Sequence, residues 1–245
     1  MLTSNIKFKN FNISKFKNLK NFKNEKWFKK IRLLESLNPN YKYSYTKEQI
    51  KKINKSKNFR LIGMGGSILG IEAIYQFLNH KIKKKFTFIN NLNPKLKNSE
   101  KKIKATNIII SKSGNTLETI VNSNKLINSS KNIFITENKK SYLGNLAYKL
   151  KAEIIEHKNY IGGRYSVLSE VGMLPAEIMG LNEKKFKRLN YLINNKIFLN
   201  ELIKNVSAIL KFVKEKKFNS IILNYDNKSE NLLKWYQQLI AESLG

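Results

Sequence analysis

The spacing of apolar positions changes character at Phe59. From there, short apolar runs alternate with longer segments of helical period. Phe59–Ile62, Phe86–Ile89, Asn107–Ile110, Ile133–Thr136 and Ala152–Ile155 predict buried strands. Between them, the spacing of Ile68, Ile71, Ile74 and Leu78, then Leu117, Ile120, Val121 and Leu126, then Leu143, Leu146, Ala147 and Leu150, predicts helix faces. Val171, Leu174 and Met179 continue the series, with Pro175 near the start or at a kink of its helix. Strand–helix alternation predicts an α/β, doubly wound, parallel five-stranded domain of the flavodoxin-like kind over about residues 58–180. Residues 1–57 predict two or three amphipathic helices forming an arm. Residues 181 to about 216 predict lysine-rich helix. Ser220–Tyr225 predicts one more strand, followed by a helix through Leu232, Trp235 and Leu239, as if a second α/β domain begins within 181–245.

Two strand-to-helix turns carry candidate chemistry. Ser111-Lys-Ser-Gly-Asn-Thr-Leu-Glu-Thr119 leaves the third strand, and Gly63-Met-Gly-Gly-Ser67 leaves the first. Free backbone N–H groups and the positive helix end converge at such turns, and hydroxyls and an ammonium add to them. That suits an anion, above all a phosphate. The alternative is a capped helix start. Strand order 2-1-3-4-5 would bring both turns to one crevice at the carboxyl ends of the first and third strands. The glycine turn fails the dinucleotide fingerprint, because Ile68 stands where the third glycine belongs and Asn90 and Asn91 where an acid would hold a ribose.

Composition narrows the field. The chain has no cysteine and only His80 and His157, so thiolate and paired-histidine metal sites are not expected. No apolar run reaches the roughly 18 residues of a membrane span, and the first residues lack a secretory apolar core, so a cytoplasmic protein is expected. The net charge of +30 comes almost wholly from lysine, beside only Arg32, Arg60, Arg164 and Arg188. With abundant Asn and Ile, it reads as compositional drift rather than as a nucleic-acid reader. His157 reads as a surface residue.

Four motifs occur in the order seen in the phosphoglucose isomerase family: Gly63-x-Gly-Gly-Ser67-x-Leu-Gly70, Ser111-Lys-Ser-Gly-Asn-Thr-x-Glu-Thr119, Gly162-Gly-Arg-Tyr-Ser-Val-Leu-Ser169 with Gly172-Met-Leu-Pro-Ala176 after it, and Gln238-x-x-x-Glu242-Ser. The sequence resembles that family from about residue 58 onward. The resemblance implies paired sugar-isomerase (SIS) domains and interconversion of glucose 6-phosphate and fructose 6-phosphate through an enediol, with no cofactor and no metal. It implies that Ser67, Ser111, Lys112, Ser113, Thr116 and Thr119 hold the sugar phosphate. Gly163 and Arg164 would lie beside C1 and C2, Gln238 would line the pocket, and Glu242 would be the base. Without the resemblance, Glu242 reads as a solvated helix-end carboxylate and Thr119 as a residue on the helix exterior. The family's catalytic lysine and ring-opening histidine lie beyond its Glu-Ser motif, so the resemblance implies an N-terminal portion, homodimeric when complete. A non-catalytic sugar-phosphate-binding regulator is the alternative; it would need the phosphate turns but neither Arg164 nor Glu242.

Overall fold

The structure, a computed structural model, describes residues 31–92, 104–127, 131–217 and 219–244. Any helix expected over residues 1–30 lies outside them. Strands β1 (Asn58–Ile62), β2 (Lys85–Ile89), β3 (Thr106–Ile110), β4 (Asn132–Thr136) and β5 (Glu153–Glu156) form one parallel sheet in the order β2-β1-β3-β4-β5. This is the order expected of a doubly wound fold, with its switch point between β1 and β3. Helices α1 (Lys47–Ile53), α2 (Leu69–Leu78), α3 (Leu117–Leu126), α4 (Tyr142–Lys149), α5 (Glu170–Ile178), α6 (Glu183–Phe186), α7 (Lys196–Lys214) and α8 (Glu230–Leu244) complete the described elements, with short 3-10 turns between them.

The central strands β1, β3 and β4 bury side chains on both faces, as a parallel sheet covered by helices requires. Alternate residues go to alternate cores. Phe59, Leu61, Ile108, Ile110, Ile133 and Ile135 pack with α1, α2 and α5. Ile62, Ile109 and Phe134 pack with Leu126 of α3 and Leu143 and Ala147 of α4. Arg60 and Asn107 break the apolar pattern but are paired: Arg60 Nη1 donates to Asn107 Oδ1 at 3.2 Å, and Asn107 Nδ2 donates to the Leu126 carbonyl at 3.3 Å. The second bond satisfies a carbonyl at the end of α3.

The segment ahead of β1 is tied to the sheet through α5. A capping box at Thr46 and Gln49 starts α1, and Ile50 and Ile53 enter the core. Tyr41 donates to Glu170 Oε2 at 2.9 Å and Tyr45 to Glu177 Oε1 at 2.7 Å. Burial, with these carboxylates alongside, pushes both phenols far above their ordinary values.

Two compact units emerge. One joins the described residues up to Pro39 with Lys187–Leu223; the other joins Asn40–Phe186 with Asn224 onward, so α8 belongs to the same unit as the sheet.

Two expectations are corrected. Residues 219–226 form no strand, and Ile221 and Tyr225 are 86% and 92% exposed. The residue types favour a strand, but a strand needs a hydrogen-bonded neighbour, and no described segment pairs with this one. His157 is buried, not a surface residue. Its N–H donates to the Thr136 carbonyl at 2.8 Å, extending the β4–β5 ladder. Burial lowers its pKa.

Candidate active site

The site is built at the carboxyl ends of β1 and β3, with α8 alongside. β1 runs into Gly63, whose N–H donates to the Ile89 carbonyl at 3.2 Å. A Cβ on Gly63 would stand 3.1 Å from the carbonyl oxygen of Ile110, the last residue of β3, and 3.3 Å from Ser67 Cβ. The two turns therefore leave the sheet side by side. Gly65 has φ +54°, a conformation other residues resist. Gly66 lies so close to the next loop that a Cβ there would sit 2.4 Å from the Arg164 nitrogen and from the Gly163 carbonyl carbon.

That next loop, Gly163–Leu168, is a 3-10 turn closed by Ser166, whose Oγ donates to the Gly163 carbonyl at 2.6 Å. It presents Arg164 to α8. Arg164 Nη1 lies 3.2 Å from Glu242 Oε2, and Nε donates to Ser243 Oγ at 3.1 Å. Gln238, one turn earlier on α8, donates from Nε2 to Glu242 Oε1 at 2.6 Å. Both carboxylate oxygens are thus engaged, while the side chain stays 46% exposed and open to a ligand. Gln238 Nε2 also reaches the glycine turn: a Cβ on Gly65 would stand 2.6 Å from it. Tyr165 OH lies 2.8 Å from Ser243 Oγ, and that bond together with Arg164 draws the phenol below its ordinary value. Arg164, Gly163, Gln238 and Glu242 are therefore brought together, against the turn that ends in Ser67.

The 111–119 turn is braced mostly by its own atoms. Ser111 Oγ lies 2.9 Å from Thr116 Oγ1 and accepts from the Gly114 N–H at 3.2 Å. Ser113 Oγ accepts from the Asn115 N–H at 3.1 Å. Gly114, at φ +68°, makes the bend. Thr116 precedes α3 without a side-chain cap bond. Lys112 extends toward the β5 side, donating to the Asn159 carbonyl at 2.7 Å and standing 3.5 Å from Glu137 Oε1. Burial alone would raise Glu137, but Lys139 and Lys112 hold it below the ordinary carboxylate value. Thr119 is turned inward on α3, its hydroxyl enclosed and without a hydrogen-bond partner among the described residues. Beside Lys112, a recess of about 400 Å³ is lined by Glu137, His157, Asn159 and Tyr160 among others; none of the expected site residues lines it.

The phosphoglucose isomerase family model matches residues 34–245. The chain belongs to the phosphoglucose isomerase family. It is 34% identical over 224 residues to the glucose-6-phosphate isomerase of Methanocaldococcus jannaschii, covering 83% of this chain and 54% of that protein. It is 31% identical over 235 residues to that of Mycoplasmopsis pulmonis, covering 81% and 54%. The chain thus spans about half the length of these curated relatives. Among solved structures, a hypothetical protein from Thermus thermophilus superposes with a TM-score of 0.68 at 22% identity, over 90% of this chain and 59% of that one. That likeness supports the fold.

Sequence reading missed Tyr165, whose hydroxyl meets Ser243, and Trp235, whose indole N–H donates to the Arg164 carbonyl at 2.9 Å. The spacing Trp235–Gln238–Glu242, three and then four residues, marks one helix face and was the available signal.

Proposed function

We propose that this chain binds a hexose 6-phosphate and that Glu242 moves the proton, with Arg164 stabilising the charge that develops, in the interconversion of glucose 6-phosphate and fructose 6-phosphate. The observation that carries this reading is the 3.2 Å contact between two ionic groups 78 residues apart in sequence, set against the turn that ends in Ser67. Membership of the family supports it. Ser67 and the 111–119 turn, with Ser111, Lys112, Ser113 and Thr116, take the phosphate; the Thr119 hydroxyl, enclosed beneath the turn, supports it from within. Binding there positions carbons at the far end of the substrate.

In the open-chain aldose, the Glu242 carboxylate takes the proton from C2. The C2–H electron pair becomes the C1–C2 double bond, and the carbonyl π pair moves to O1. The Arg164 guanidinium stabilises the negative oxygen of this cis-enediolate without surrendering a proton. A proton passes from the C2 hydroxyl to O1 of the enediolate; proton return from Glu242 to C1, with the carbonyl re-forming at C2 from the O2 electron pair, then completes the ketose. An entering polyol that displaces Arg164 from Glu242 Oε2 frees the base and directs the guanidinium to the developing charge in one movement. Gly163 leaves space beside C1 and C2, because a Cβ there would meet nothing within 4 Å. Gln238 holds the carboxylate in line through Oε1. Ring opening is assigned to no residue of this chain, and the enzyme works as a homodimer.

Calorimetry in about 0.15 M salt, where long-range attraction to the +30 chain is largely screened, tests the binding half. Glucose 6-phosphate should bind, glucose should not, and Lys112→Met should weaken the phosphorylated sugar about tenfold. Equal binding of glucose and its phosphate would refute the anchor.

A further inference from the structure

We infer that Trp235 is a positioning residue: its indole N–H, bonded to the Arg164 carbonyl, sets the register of α8 so that Glu242 faces the Arg164 guanidinium. The contact is 2.9 Å from Nε1 to the carbonyl oxygen. It fixes the backbone of the residue whose side chain meets Glu242. One loop residue is therefore held twice by the same helix, once through its main chain and once through its side chain.

Helix geometry explains why the two points act together. Trp235 and Glu242 are seven residues apart, close to two turns, so they project within about 20° of each other and about 10 Å apart along the axis. Gln238 lies between them on the same face. A slip of one residue would rotate the helix by about 100° and carry Glu242 away from Arg164.

Apolar packing alone does not set this register, because no residue of α8 is buried. Polar contacts do the indexing. At the start of the helix, the Asn231 N–H donates to Gln76 Oε1 at 2.8 Å, and Gln76 Nε2 donates to the Asn227 carbonyl at 2.7 Å. Two turns before the carboxylate, the Trp235 ring has a place on α2 at Gly70, where a Cβ would stand 3.8 Å from Trp235 Cε2. The ring sets the height and the N–H sets the rotation.

This inference deepens the proposed role of the Arg164–Glu242 pair, and its test needs no substrate. The chain has no cysteine, so Glu242→Cys introduces a single thiol as a reporter of the guanidinium. A neighbouring arginine lowers a thiol's pKa from about 8.5. The thiol at 242, titrated by its alkylation rate, should lie about half a unit to one unit below that value and return to it with Arg164→Gln. Adding Trp235→Phe, which keeps a ring and loses the N–H, should abolish at least half of the depression. Far-UV circular dichroism should show the helix content kept. An unchanged thiol pKa after Trp235→Phe would overturn the clamp, and so would a thiol undepressed in the parent. A depressed, Trp235-dependent thiol, together with a Glu242-bearing parent that exchanges no hydrogen at C1 of fructose 6-phosphate, would count against the proposed function and leave the clamp standing.

Discussion

Glu242→Gln is expected to lower isomerase turnover about a thousandfold while leaving hexose phosphate affinity within about threefold. The amide keeps the size of the carboxylate and can still accept a bond from Arg164. It cannot take a proton from carbon. General base catalysis contributes roughly 10² to 10⁴ in rate, and in the proposed mechanism one carboxylate serves both the removal and the return of the proton. Affinity should survive because the proposed phosphate anchor lies elsewhere, at the turns that follow β1 and β3. The split is the diagnostic: a loss confined to turnover removes a transition-state interaction, whereas a matching loss of affinity would mean that Glu242 mainly binds. A coupled assay with calorimetry on the same variant reads both. Undiminished turnover would remove Glu242 as the base.

Gly66→Ala should have the second-largest effect, with no functional group removed. The added Cβ would stand 2.4 Å from main-chain atoms of Gly163 and Arg164. Backbone cannot rotate aside as a flexible side chain can, so the 163–168 loop must move. Overpacking of this kind costs about 1–3 kcal/mol, a fall in melting temperature of several degrees for a chain of this size. A displacement near 1 Å at the reacting centre can cost about a hundredfold in rate. Gly163→Ala is the control for the stability part, since a Cβ there meets nothing within 4 Å. Its melting temperature should stay near that of the parent. Equal melting temperatures for the two variants would show that the Gly66 contact is not tight.

The sheet was legible because its signal is local and redundant. Ile108, Ile109 and Ile110 sit in a run too short for a helix and too apolar for a loop, and the flanking turns repeat the message. Handedness and parallel direction followed from the alternation, whereas the order 2-1-3-4-5 was a supposition that the hydrogen-bonded ladders bear out. The site was legible only in part. Its halves come from Arg164 and from a helix beginning 66 residues later, and no spacing rule joins residues so distant. The family resemblance supplied that link. The failures have a shared cause. Ile221, Ile222 and Tyr225 have the intrinsic preference of a strand, yet a ladder needs a second strand and sequence preference cannot provide one. His157 was misjudged because burial depends on what folds over a residue. Lys112 could be placed on the turn from sequence, but Glu137 and the Asn159 carbonyl decide where its ammonium points, and both are fixed by the fold.

Hydrogen exchange at carbon tests the central claim most directly. The proposed enolisation by Glu242 would act on open-chain ketose, a fraction of which forms in solution without help. Fructose 6-phosphate incubated with the protein in heavy water should therefore gain deuterium at C1, seen by proton NMR, and Glu242→Gln should suppress that gain to the level of buffer alone. Parent and variant exchanging at the same rate, or neither exceeding buffer, would contradict the account.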